Sequence, residues 1–178
     1  MSINNHPHAV RMYESMCKHV GQSAADDLAR EHPLSKAAAA EKKAVWADEI
    51  CACLENTSDD ATIQKVRMDC ACGPGAGKMD RLRKLYRSSD HADDFVLRVN
   101  RLNLGFTLRY EAPSYYLIYP QCYCSFIKRS EKLISKTWCY CTLGYTKRMF
   151  DYILEKDVGV TLLESVKTGG EKCVIRIT

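Results

Sequence analysis

At 178 residues, with 26 Lys plus Arg against 22 Asp plus Glu, the chain is long enough to bury a core. Its net charge of +4 is spread along the sequence rather than gathered into the cationic stripe that a nucleic-acid surface needs. No apolar run approaches the roughly 20 residues of a membrane span, and Met1 to His8 lack a basic region leading into an apolar one, so the chain reads as cytoplasmic with no membrane partner.

Taken in order, Val10, Tyr13, Met16, Cys17, Val20 and Leu28 recur at helical spacing around a Gly21-Gln22-Ser23 step, which predicts one helix or two short ones with Cys17 in the core. His6 and His8 read as part of a frayed terminus, and His19 and His32 as surface or cap residues. After Pro33, the Ala-rich stretch from Leu34 through Val45, Trp46, Ile50 and Leu54 predicts a long helix. Ser58-Asp59 then caps a further helix through Ile63, Val66 and Met68, which Gly73, Pro74 and Gly75 terminate. The Gly-rich run before Lys78 is not a phosphate-binding loop, because GxxxxGK[ST] needs glycine at 72 and a hydroxyl at 79, where the chain has Cys72 and Met79.

Residues 76 to 88 predict a basic amphipathic helix, and Asp90 begins another with Phe95, Val96, Val99 and Leu102 inward. The period then changes to two. Leu104 to Tyr110 and Tyr115 to Tyr119 alternate around Glu111-Ala-Pro-Ser114, a hairpin. Thr142 is the expected N-cap of a helix marked by Tyr145, Met149, Phe150 and Ile153. A last hairpin runs from Val158 to Val166 and from Lys172 to Ile177, turning at Gly169-Gly170. Glu164 shares the face of Val160 and Leu162 and needs a partner if that face is buried.

The ten cysteines are the main chemical signal, since disulfide frameworks belong mainly to small secreted domains. Cys51 and Cys53 fall inside a helix, where residues two apart point about 200° away from each other and cannot chelate one ion; both read as filler. Cys70 and Cys72 straddle a helix end. Cys122 and Cys124 follow a strand, where residues two apart share a side. Cys139 and Cys141 precede the expected helix start, whose dipole favours thiolates.

The stretch from Cys139-Tyr-Cys to Met149-Phe150, with Glu164-Ser165 and Gly169-Gly170 to Cys173, resembles the end of the 4-vinyl reductase domain superfamily and the related 2-aminothiazoline-4-carboxylate hydrolase-like proteins. With Cys70-Ala-Cys72-Gly-Pro74 and Tyr119-Pro-Gln-Cys122-Tyr-Cys124, the resemblance covers about residues 65 to 178 and is nearest a Cys-rich bacterial branch. It implies an α+β domain with helices packed on one antiparallel sheet, often a dimer, that binds a small apolar or amphipathic ligand. It also implies a zinc site near the C-terminal hairpin, with Cys139 and Cys173 as outer ligands, although Ser165 stands where zinc-holding relatives have a further cysteine.

The expected architecture is therefore α+β, with an N-terminal helical segment, residues 1–60, packed on a Cys-rich domain of residues 61–178 as one compact unit. The candidate metal ligands are Cys70, Cys72, Cys122, Cys124, Cys139, Cys141 and Cys173, four of which would hold zinc or, less readily, an iron-sulfur cluster. One functional reading is a metal-binding, small-molecule-binding or sensing module with no nucleic-acid partner, acting as a homodimer, with a ligand cavity walled by Tyr116, Tyr145 and Phe150. The other is a thiol-dependent hydrolase or redox enzyme using Cys139 or Cys141.

Overall fold

The computed structural model describes residues 6–178; the first five residues of the expected frayed terminus lie outside this range. Among the described residues the architecture is α+β, with seven α-helices and one four-stranded antiparallel sheet. The chain divides into two compact units, one running through Ala71 and taking in Cys124–Cys141, the other formed by Cys72–Tyr123 and Thr142–Thr178. The division at 71/72 lies beyond the expected one at 60/61, and the 124–141 segment joins the N-terminal helices.

The first unit contains α1 (Pro7–His19), α2 (Gln22–Glu31), α3 (Ala40–Thr57) and α4 (Asp60–Asp69). Gly21, at φ 131°, separates α1 from α2, a conformation open to glycine and costly for other residues. The buried side of α1 is Ala9, Met12, Ser15 and Met16, so Val10 and Val20 point outward. Cys17 is half-buried rather than core, its thiol donating to Gln22 Oε1 at 3.4 Å. His6 is buried and caps α1, its Nδ1 accepting from the His8 amide at 3.1 Å; neither histidine is frayed.

α3 begins at Ala40, not Leu34. Leu34 is fully buried and its carbonyl accepts from the His6 amide, while Ser35 Oγ accepts from the Ala37 amide at 3.3 Å. This local turn and the anchoring of Leu34 outcompete the helix propensity of the alanines. Asp59 caps α4 as expected, accepting from the Thr62 amide at 2.9 Å. His32 is the C-cap of α2, as expected of a surface or cap residue, and faces Glu49 at 3.3 Å, while His19, near the end of α1, faces Asp69 at 2.7 Å.

In the second unit, α5 (Ala76–Arg87) and α6 (Ala92–Asn100) precede β1 (Thr107–Glu111) and β2 (Ser114–Tyr119). α6 is capped by His91, whose Nδ1 accepts from the Asp94 amide at 3.2 Å, rather than by Asp90. α7 (Lys136–Leu154) is followed by β3 (Val160–Glu164), a 3-10 turn over Val166–Thr168, and β4 (Cys173–Ile177). The sheet order is β1-β2-β4-β3. Leu117 opposes both Leu108 and Ile175 in register, and all three are buried with Phe150 and Ile153 of α7. Glu164 finds its partners in the turn, accepting from the Glu171 and Lys172 amides at 2.9 and 3.1 Å.

Candidate functional site

The position of α7 decides the chemistry of two thiols. Ser135 Oγ accepts from the Thr137 amide at 3.2 Å, and the helix starts at Lys136. Cys139 and Cys141 thus lie within the helix rather than ahead of a start at Thr142. They lose the position at a helix start on which a lowered thiol pKa was expected, and, being two apart on a helix, they diverge as Cys51 and Cys53 do.

Of the seven expected ligands, Cys70, Cys124, Cys139 and Cys141 belong to the first unit and Cys72, Cys122 and Cys173 to the second. Cys70 ends α4, is buried, and donates to the Arg11 carbonyl at 3.6 Å. Cys72 is exposed; Cys122, Cys124, Cys139, Cys141 and Cys173 are half-buried. Cys173 Sγ accepts from the Val166 amide at 3.5 Å. Among the described residues no three His, Cys, Asp or Glu side chains are grouped as metal ligands. The zinc pattern implied near the C-terminal hairpin meets a tied residue at its odd position, since Ser165 is 2% exposed and its Oγ accepts from the Lys167 amide at 3.1 Å.

What gathers thiols in the first unit is a cation. Arg67 lies on the buried side of α4 beside Ile63 and Val66 and is 1% exposed. Its guanidinium sits 4.1 Å from the centroid of the Trp138 ring, a stacked cation–π contact. Nε donates to the Thr137 carbonyl at 3.3 Å and Nη2 to the Trp138 carbonyl at 2.9 Å; neither bond uses Nη1. Among the described residues no carboxylate pairs with it. Burial works against its charge, but Cys70, Cys141, Cys51 and Cys124, as thiolates, hold its pKa above the usual value. The reciprocal effect is outweighed: burial pushes the Cys51 thiol up to about 12 and the Cys70 thiol upward, with Arg67 opposing both.

Aromatic rings close this core. Phe126 stacks on Trp138 with centroids 5.1 Å apart, Trp46 meets Trp138 edge-on at 5.9 Å, and His8 lies 4.5 Å from Phe126. Burial, with Arg11 and Arg67 nearby, lowers the His8 pKa to about 3, so its imidazole is neutral at physiological pH. Trp138 Nε1 is buried without a hydrogen-bond partner, an unpaired donor of the kind that costs about 1–3 kcal/mol.

Sequence reasoning dropped Cys51 because it cannot chelate with Cys53, which holds, but it faces the same guanidinium as Cys70, Cys124 and Cys141. Arg67 was missed too, although an arginine four residues after Ile63 on an apolar stripe was a readable signal. The expected cavity wall is also revised: Tyr115, not Tyr116, faces Phe150, at 6.3 Å, because adjacent strand residues project to opposite faces. Tyr116 lies instead under the Arg109 guanidinium at 5.0 Å.

These elements define an α+β protein with a buried centre of thiols, aromatic rings and a guanidinium in its first unit. The chain belongs to DUF6144, a family of unknown function whose model matches residues 3–178. No curated protein matches it. Among solved structures it is similar to an H-NOX domain from Shewanella oneidensis in the Fe(II)CO ligation state, at 13% identity and a TM-score of 0.45 over 97% of this chain and 96% of that chain. It is also similar to an H-NOX protein from the same organism in the Fe(II)NO ligation state, at 14% identity and a TM-score of 0.43 over 97% of this chain and 98% of that one. No helix among the described residues is long and apolar enough to cross a membrane.

Proposed function

We propose that the chain is a small-molecule-binding or sensing module whose first unit recognises a thiophilic ligand, with a zinc ion held by thiolates as the first occupant. The observation that carries this reading is Arg67, a fully buried cation on which thiols from four segments act electrostatically, with no carboxylate paired with it among the described residues. Neutral thiols leave such a charge uncompensated, whereas thiolates on a divalent ion form a net negative complex that offsets it.

Cys51, Cys70, Cys124 and Cys141 are the proposed ligands, with an iron-sulfur cluster as the other all-cysteine occupant. Because no three thiols are grouped as ligands, binding requires their side chains to turn toward a common point about 2.3 Å from each sulfur. The thiol-dependent enzyme is the weaker reading. Cys139 and Cys141 lie inside α7, the Cys51 thiol is raised to about 12, and neutral His8, with a pKa of about 3, is a poor proton acceptor. The relation to the 4-vinyl reductase superfamily and assembly as a homodimer belong to the same proposal and rest on sequence motifs alone.

Zinc and iron content, with the visible spectrum of anaerobically purified chain, tests the proposal. About one equivalent of metal is expected, lost in a Cys51→Ser, Cys141→Ser double variant and kept in Cys72→Ser. A chain that holds neither metal, and in which every thiol reacts with an alkylating reagent once unfolded but none is protected by added zinc when folded, overturns it.

A further inference from the structure

The second unit holds a cation of a different kind. Lys78, on the first turn of α5, is half-buried and donates from Nζ to Tyr145 Oη at 3.2 Å. The ammonium stands 5.6 Å from the centroid of Phe106 and 5.9 Å from that of Tyr145. Among the described residues it forms no ion pair. The other lysine on the same unit's side of α7, Lys147, is in contrast engaged by Asp151, Asp157 and the Val158 carbonyl.

Further phenols follow from the Phe106 ring. Phe106 is shared with Tyr119, whose ring meets it edge-on at 5.9 Å, and Tyr119 in turn meets Tyr123 at 5.9 Å. The Tyr119 hydroxyl makes no hydrogen bond to the described residues. Burial raises its pKa, with Tyr145 and Cys173 adding to the effect, so it stays protonated and able to donate. Gly105, at φ 80°, lets the Tyr123 hydroxyl approach the backbone, where an added Cβ would stand 3.5 Å away.

We propose that Lys78, Tyr145 and Tyr119 form a recognition site for a small monocarboxylate carried on a flat aromatic body. An ammonium and two phenols supply donors, and the missing partner is an acceptor with negative charge. One cation offsets one negative charge; a phosphate dianion favours forked guanidinium donors or several cations, which this cluster lacks. The edges and faces of Phe106, Tyr119 and Tyr123 suit a ring. The site is independent of the thiol centre and of any metal.

Benzoate is the probe, titrated into the full chain by calorimetry with inorganic phosphate as the comparison anion. Saturable benzoate binding is expected, weakened roughly tenfold or more by Lys78→Met and several-fold by Tyr119→Phe. Tyr119→Phe removes one hydroxyl and keeps the ring packing, so it remains readable if Lys78→Met disturbs folding. Benzoate binding that neither variant weakens, phosphate binding as tight as benzoate, or no saturation by about 10 mM each overturns the assignment.

Discussion

Arg67 and Trp138 are joined through two different groups of the same residue: the guanidinium stacks 4.1 Å from the indole centroid while Nη2 donates to the Trp138 carbonyl at 2.9 Å. The indole supplies a π face, the carbonyl a dipole, and neither supplies a negative charge. Arg67 is thus held in place without being neutralised, at a desolvation cost that an indole face and two carbonyls do not recover.

That imbalance predicts an unusual mutational response. Arg67→Met fills much of the same volume and removes the buried charge, so its unfolding free energy should match the parent within about 1 kcal/mol or exceed it. Arg67→Ala leaves a void under Trp138 and should lose about 2–4 kcal/mol. Urea denaturation of both variants checks this. A methionine variant weaker than the parent by more than about 3 kcal/mol would make Arg67 a structural strut rather than a group kept for ligand binding.

The first unit should also lose stability on mild acidification. His8 titrates near 6.5 when unfolded and near about 3 when folded, so between these values the unfolded chain binds the extra proton. Its penalty is absent above pH 6.5 and grows as pH falls toward 3, by on the order of 1 kcal/mol per pH unit before discounting for the half-buried ring. His6 shifts in the same direction. Between pH 6.5 and about 5.5 the carboxylates of Asp59, Asp69, Asp94 and Glu155, whose pKa values are lowered, are ionised in both the folded and the unfolded chain and add little slope. The expected result is a pH-dependent fall in melting temperature that His8→Phe flattens in this window; an unchanged slope would remove His8 as its source.

At the C-terminal hairpin, an added Cβ on Gly170 would stand 2.6 Å from Glu164 Cγ, 2.9 Å from its Oε1 and 3.0 Å from the Ser165 carbonyl. Gly170→Ala should cost about 1–3 kcal/mol. Glu164→Ala should cost about 1–2 kcal/mol by itself, because the Glu171 and Lys172 amides lose their acceptor. The double variant should fall short of the sum, since removing the Glu164 side chain relieves most of the clash. Additive costs in thermal denaturation would mean that the two residues are not coupled.

Much of the fold was legible because its signals are local. The alternation at Leu108, Tyr110, Tyr115 and Leu117, the Asp59 cap and the Gly21 step each act within a few residues, and each appears where expected. The misread boundaries have non-local or side-chain causes. Leu34 is held by the His6 amide from another segment, and Ser135 starts α7 six residues before the Cys141 position that seemed to precede it. The candidate centre was least legible. Cys51 acts on the same guanidinium as Cys70, Cys124 and Cys141 of other segments, and spacing within one element carries no trace of that.

Asn100, the last residue of α6, has its Nδ2 donate to the Leu108 carbonyl and its Oδ1 accept from the Leu108 amide, both at 2.8 Å. Both backbone groups of Leu108 point away from β2, on the outer side of the strand that begins the sheet order. One carboxamide therefore stands in for a neighbouring strand near the start of that border. An incoming peptide seeking to extend the sheet from β1 would find its first outward rung already taken. The opposite border, β3, carries an irregular register between Leu162 and Glu164, so lateral growth is discouraged there by geometry, where at β1 it is discouraged by occupancy.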